Sequence, residues 1–228
     1  MNIVLERVIL VRHAASLANR DPAVYLSTPD HTIPLCQPHD DAEALAAAEL
    51  IRTLALDPSR VCSWRSSYVR CMQTESLMVT RTFGDGVSAV QRLESFLLRE
   101  QDYGDWDGLS DASIAAADPS RFAKRQRATE PYPRFYFRHP NGESRADVAL
   151  RAATFIERLR HSDRPHHIVF LHAVTQRAFR MVWFDRTVEW FHNEPNPPNA
   201  SVVVIERDVV TGAWREYSLS QPNSGSPA

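Results

Sequence analysis

Two apolar runs in this chain each end on a histidine, and that pairing constrains the fold more than any other feature. Val8-Ile9-Leu10-Val11 leads into Arg12-His13, and His167-Ile168-Val169-Phe170-Leu171 leads into His172. Short, continuous runs rich in β-branched residues read as strands buried on both faces, the habit of a parallel sheet covered by helices. In open α/β sheets, ligands bind beyond the carboxyl ends of the strands. Both histidines stand there, and an arginine beside one of them suits an anionic ligand. The expectation is phosphoryl chemistry on a histidine.

The rest of the chain reads as βαβ alternation. After His13, a stretch from Ala14 to about His39, rich in Pro, Asp, Ser and Thr, is too long for a simple connection and is expected to contribute to the site. An alanine-rich helix follows from Asp41, with acidic residues in its first turn. Val61-Cys62 reads as a short strand, Tyr68 to Phe83 as a helix and Ala89 to Leu93 as a strand. Residues 101 to 142 read as an irregular insertion over the active site. Helical periodicity resumes from Glu143 to Arg160 and again from Thr175 to Phe184, and strands are expected at Ser201–Ile205 and Trp214–Leu219. One domain over residues 1–220 accounts for the 228 residues, with a disordered tail over 221–228 made of Pro, Ser, Gly and Asn.

Bulk charge narrows the partners. With 26 basic and 28 acidic side chains, no general field attracts nucleic acid or an anionic membrane, so any anion affinity must be local. The first apolar stretch is broken by Glu6 and Arg7 and is too short to span a bilayer. Cys36, Cys62 and Cys71 have no metal-ligand spacing and read as reduced packing thiols, so a cytoplasmic location and no metal or other cofactor are expected.

Three further segments carry chemistry-bearing residues. Ser63 to Thr74 holds Ser66, Arg70, Gln73 and Thr74; Leu98 to Gly108 holds Glu100 ahead of a loop rich in glycine and aromatics; and Gly142-Glu143-Ser144 precedes a helical pattern. In this order, between residues 7 and 206, the five blocks resemble the histidine phosphatase superfamily, branch 1, also called phosphoglycerate mutase-like. Its pattern is strand-Arg-His-Gly, Ser-x-x-x-Arg-Ala-x-Gln-Thr, Glu with Gly four residues on, Gly-Glu-Ser, and strand-His-Gly. Thr28-Pro29-Asp30-His31, Arg134-Phe135-Tyr136-Phe137-Arg138 and Trp183 to Glu189 are similar to stretches of a plant, fungal and bacterial subgroup. The resemblance implies a three-layer α/β/α sandwich with a mostly parallel central sheet.

It also implies roles. His13 is the expected nucleophile, since a neutral imidazole attacks phosphorus and a phosphohistidine splits one hard displacement into two easier ones. Arg12, Arg70 and His172 are the expected donors to the phosphoryl oxygens, with Arg70 preferred over Arg65 because it sits in the matching block. Glu100 is the expected acid for the leaving group, ahead of Glu94, Asp102, Asp105 and Asp107. Asn19 matches a phosphate-contacting asparagine of the family, although a loop asparagine also simply favours turns.

The chain departs from the pattern at Ala14 and Ala173, where the family has glycine after each histidine, and Ala15 stands where many relatives carry Glu. Glycine at such a place allows close backbone approach or an angle that alanine dislikes.

A metal-independent phosphatase acting on a small phosphorylated metabolite is the first expectation. A phosphoglycerate-type mutase is the alternative, although its insertion with paired arginines has only a distant echo in Arg125-Gln-Arg127, and a catalytically silent member is the third. A homodimer is compatible with the sequence. Arg134, Arg138 and Phe135 to Phe137 either frame a sugar or carboxylate beside the phosphate or pack as an amphipathic segment.

Overall fold

The computed structural model describes residues 4–128 and 134–220; the tail from 221, expected to be disordered, lies outside them. In chain order the strands are β1 Arg7–Arg12, β2 Val61–Arg65, β3 Gln91–Glu94, β4 His166–Leu171, β5 Val202–Arg207 and β6 Trp214–Leu219. The helices are α1 Leu17–Arg20, α2 Ala42–Arg52, α3 Val69–Phe83, α4 Asp111–Ala117, α5 Pro119–Ala128, α6 Arg145–Arg160, α7 Ala173–Trp183 and α8 Val188–Asn193.

The six strands form one sheet in the order β3-β2-β4-β1-β5-β6. Neighbours from β3 to β1 are parallel, whereas β5 runs antiparallel to both β1 and β6. Because successive side chains point to opposite faces, each central strand serves two cores. Ile9, Val11, Ile168 and Phe170 pack with the buried residues of α2 and α3. Val8, Leu10, Val169 and Leu171 pack with those of α6 and α7. The result is the expected α/β/α layering around a mostly parallel sheet. Phe170 is fully buried, and truncating such a side chain to alanine costs about 3–5 kcal/mol.

Three elements differ from the sequence reading. Strand β2 continues through Ser63-Trp64-Arg65, paired with Ile168-Val169-Phe170, because its polar groups have buried partners. Ser63 donates to Glu75 at 2.9 Å, and Trp64 Nε1 donates to His167 Nδ1 at 3.1 Å. The insertion at 101–142 is not wholly irregular: it holds α4, capped by Ser110 accepting from the Ser113 amide at 3.1 Å, and α5. Helix α8, capped by Thr187, was not expected from the pattern.

Sheet order decides what meets at the carboxyl edge. Arg12 pairs with Leu171 across the β1–β4 ladder, so His13 and His172 leave adjacent strands side by side. The His13 amide donates to Leu171 O at 3.0 Å, and on the other flank of β4 the Ser66 amide donates to Phe170 O at 3.0 Å.

Candidate active site

Both histidines are buried, with ring centroids 5.1 Å apart. His13 Nδ1 lies 2.8 Å from the Ala14 carbonyl. A carbonyl can only accept, so Nδ1 carries the proton and Nε2 keeps its lone pair. Burial, reinforced by Arg70 and Arg12 and opposed by the Ala14 contact, holds His13 well below the usual histidine range. The free protein therefore presents a neutral imidazole at neutral pH.

His172 is the N-cap of α7, and its Nε2 lies 2.9 Å from Ser66 Oγ. That hydroxyl also accepts the Tyr68 amide at 3.3 Å, and it has a proton of its own to give to His172 Nε2. With that donation His172 is the Nδ1–H tautomer, and Nδ1 is buried without a partner among the described residues. Burial, then Arg70 and His13, also push His172 well below its usual range, so it acts as a neutral donor and not as a cation.

Arg70 is 2 % exposed. Its terminal nitrogens do not stand free as a fork: NH1 donates to both the backbone oxygen and Oδ1 of Asp30 at 2.7 Å, and NH2 reaches Oδ2 at 3.3 Å. Nε has no partner. Arg12 repeats the arrangement, with NH1 bound to Pro197 O and Nε buried without an acceptor among the described residues. Burial, offset by Glu100 and Tyr25, lowers the Arg12 pKa. Tyr25 belongs to the same group, its phenol pushed to about 12 by burial.

Glu100 meets the amino end of α7. Its carboxylate accepts from the Gln101 amide at 3.0 Å and from the Val174 and Thr175 amides at 3.3 Å each. Thr175 Oγ1 lies 3.3 Å from Oε1 and donates to Arg99 O at 2.7 Å. The segment carrying Glu100 is gripped from behind: Arg151 donates to Leu97 O at 2.7 Å and to Glu100 O at 3.1 Å, while Glu143 Oε2 accepts the Asp102 amide at 3.1 Å. Glu143 pairs with Arg99 and Arg151, which gives the Gly-Glu-Ser block a supporting part. The glycines of two blocks touch here. A Cβ on Gly104, which has φ +56°, would lie 2.0 Å from Pro140 O and 2.7 Å from Gly142 N.

Asn19 has a structural part as well. Its Oδ1 accepts from the Ser16 amide and hydroxyl at 3.0 Å and from Asn199 Nδ2 at 3.1 Å. Asn199 in turn donates to His13 O at 3.0 Å. Oδ1 is thus occupied in capping α1, and only Nδ2 is left for a ligand.

The two alanine departures are accommodated. Neither Ala14 nor Ala173 has positive φ. The Ala14 amide donates to Thr74 Oγ1 at 3.0 Å, and Ala173 begins α7.

The structure thus brings together His13, His172, Arg12, Arg70 and Glu100, and adds Tyr25 and Thr175, which the sequence reading did not name, and Ser66 and Asp30, to which it gave no role. Ser66 had a signal, as the first residue of its block. Asp30 sits in the Thr28 to His31 stretch that carries part of the resemblance, whereas Tyr25, in the irregular segment after β1, had no signal. Among the described residues, no three His, Cys, Asp or Glu are grouped to hold a metal ion.

An α/β/α sheet that delivers two buried histidines among arginines defines a class of phosphoryl-handling proteins. The chain belongs to the histidine phosphatase superfamily (branch 1), whose model matches residues 8–219. It is 32% identical over 229 residues to the phosphoglycerate mutase-like protein AT74 of Arabidopsis thaliana, covering 94% of this chain and 68% of that protein. Over 119 residues it is 38% identical to the broad-range acid phosphatase DET1 of Saccharomyces cerevisiae, covering 49% of this chain and 33% of that protein. A solved mycobacterial glucosyl-3-phosphoglycerate phosphatase superposes with a TM-score of 0.66 at 25% identity, covering 93% of this chain and 98% of that one.

Proposed function

We propose that this protein is a metal-independent phosphatase that hydrolyses a phosphomonoester of a small metabolite in the cytoplasm through a phosphohistidine at His13. One observation carries the reading: Arg12 Nε, Arg70 Nε and His172 Nδ1 are buried without partners among the described residues, and both arginines lower the pKa of His13 and of His172. Buried donors are normally satisfied, and a set left open around a neutral nucleophile suits a bound anion. Phosphatases among the relatives support the direction of the chemistry. Three free cysteines, Cys36, Cys62 and Cys71, suit a reducing compartment.

In the proposed reaction the Nε2 lone pair of His13 forms an N–P bond as the bond from phosphorus to the leaving oxygen breaks. The three donors hold the equatorial oxygens, where negative charge gathers. Protonated Glu100 gives its proton to the leaving alkoxide and becomes a carboxylate, which the Val174 and Thr175 amides at the amino end of α7 then stabilise. In the second step Glu100 takes a proton from water as the water oxygen attacks phosphorus. The N–P bond breaks, and the electron pair returns to Nε2.

Rapid acid-free quenching should trap phosphate on His13, and His13→Ala should remove about 99.9% of turnover. Chelation should leave the rate unchanged. Turnover without a trapped phosphohistidine overturns the mechanism. Conversion of 3- to 2-phosphoglycerate without phosphate release would mark a mutase instead.

A further inference from the structure

A second polar cavity, of about 170 Å³, lies beside the Glu100 cleft and shares Tyr103, Trp106 and Leu109 with it. The cleft itself, about 420 Å³, is lined by Glu100, Tyr25 and Asp30. Arg125, Arg134 and Arg145 line the smaller cavity, with Asp111 as the one carboxylate among its described lining residues. Asp111 is already shared by two of them, at 3.1 Å from Arg125 and 2.5 Å from Arg134.

Arg145 has no hydrogen bond or ion pair among the described residues; its guanidinium stands 5.6 Å from the centroid of the Phe191 ring, and that of Arg177 stands 4.6 Å from the same centroid. Burial, followed by repulsion from Arg177, lowers Arg145 to about 10, which leaves it charged at neutral pH. A buried guanidinium without a carboxylate partner among the described residues is costly, and Arg145 in such a place invites a bound anion. Two further polar atoms of the lining, His139 Nδ1 and the Oε1 of Gln101, which is 2 % exposed, are buried without partners. Burial and the same arginines hold His139 near 4, so its ring is neutral and can accept or donate a hydrogen bond.

We propose that this cavity is a second anion subsite, centred on Arg145, that binds a phosphate or carboxylate on the alcohol portion of the substrate. The inference rests on the phosphatase reading above, because it is the leaving oxygen at Glu100 that directs the alcohol portion toward Tyr103 and Trp106. The preferred substrates are then hydroxylated phosphomonoesters with a second anionic end, whose hydroxyls suit Gln101 and His139. Neutral sugar or polyol phosphates would leave Arg145 unanswered.

Three open-chain six-carbon probes test this: sorbitol 6-phosphate with a neutral far end, 6-phosphogluconate with a carboxylate, and mannitol 1,6-bisphosphate with a phosphate. A charge-assisted pair at Arg145 should raise kcat/KM for at least one doubly anionic probe about tenfold or more over sorbitol 6-phosphate, chiefly through KM. Which of the two gains identifies the anion. Arg145→Gln should shrink that ratio to within about threefold, and Arg145→Lys should keep part of it.

Calorimetric titration of His13→Ala with the same probes reads the preference without turnover, so the subsite is tested even if no probe is hydrolysed. Equal affinity for all three probes overturns the subsite, as does a preference that survives Arg145→Gln in a folded protein. Failure of the phosphatase reading looks different: no phosphate is released from any probe or from para-nitrophenyl phosphate.

Discussion

Ser66 Oγ sits 2.9 Å from His172 Nε2 and fixes which nitrogen of that ring faces the site. The hydroxyl accepts from the Tyr68 amide and has its proton to give to the ring, and with that donation Nδ1–H becomes the free donor. Cys71 Sγ, 3.4 Å from the same Nε2, is too weak a partner to replace it. Ser66→Ala should therefore lower kcat about ten- to a hundredfold, the order expected for one misdirected transition-state donor. KM should change little, and Ser66→Thr should recover much of the loss. A Ser66→Ala enzyme with wild-type kcat would remove Ser66 from this role.

Asp30 holds Arg70 by its terminal nitrogens, so substrate must either use Nε or displace the carboxylate. Asp30→Asn should free the fork and strengthen binding of inorganic phosphate. It should also destabilise the empty protein, since a nearly buried guanidinium loses its counter-ion. Breaking a fully buried pair costs about 3–5 kcal/mol, and the partial exposure of Asp30 reduces that to the order of 2. The expected signature is a lower Tm without phosphate and a larger Tm rise on adding it. Equal phosphate shifts in both proteins would show that Asp30 does not restrain Arg70.

Glu100→Gln separates proton transfer from positioning. The variant keeps one carbonyl oxygen for the Thr175 and Gln101 amides, loses the acceptor of the Val174 amide, and cannot deliver a proton as the acid does. Alkyl phosphates should slow by about a hundredfold or more, whereas para-nitrophenyl phosphate, with its stable leaving group, should slow far less. Equal losses on both substrates would assign Glu100 a positioning part only.

How much of this could be read beforehand follows the range of the interactions. The apolar runs before His13 and His172 betray buried parallel strands because hydrophobic continuity is a local property, and the sheet then brings both histidines to one edge. Strand β2 was cut short because Ser63 and Trp64 satisfy their polar groups through Glu75 and His167, partners remote in sequence. The grip of Arg151 on Leu97 and Glu100, some 50 positions away, is of the same kind. Asp30 pairing with Arg70 had no local pattern at all. The insertion misled for a different reason: its glycines and prolines punctuate two short helices, and the alanines of Asp111–Ala117 carried a helical signal that the surrounding breakers obscured.

Histidine protonation should govern acid behaviour in two opposite ways. His139 and His167 are each held to about 4, and His13 and His172 well below their usual value, in every case chiefly by burial. In the unfolded chain all four should titrate near about 6.5. Below that pH the unfolded state binds protons that the folded state refuses, so stability must fall as pH falls. The loss begins near 6.5, runs to about 4 for His139 and His167, and continues lower for the other two. Each histidine contributes up to about 1.4 kcal/mol per pH unit inside its window.

Catalysis should behave differently, because a depressed His13 stays neutral and nucleophilic in acid. The kcat/KM for para-nitrophenyl phosphate, corrected for the substrate's own second ionisation, should show no acid limb with a midpoint near 6.5. Parallel Tm and rate profiles from pH 4.5 to 8 test both statements on the same protein. A rate that collapses around 6.5 while Tm holds would place His13 at an ordinary pKa and contradict the burial argument.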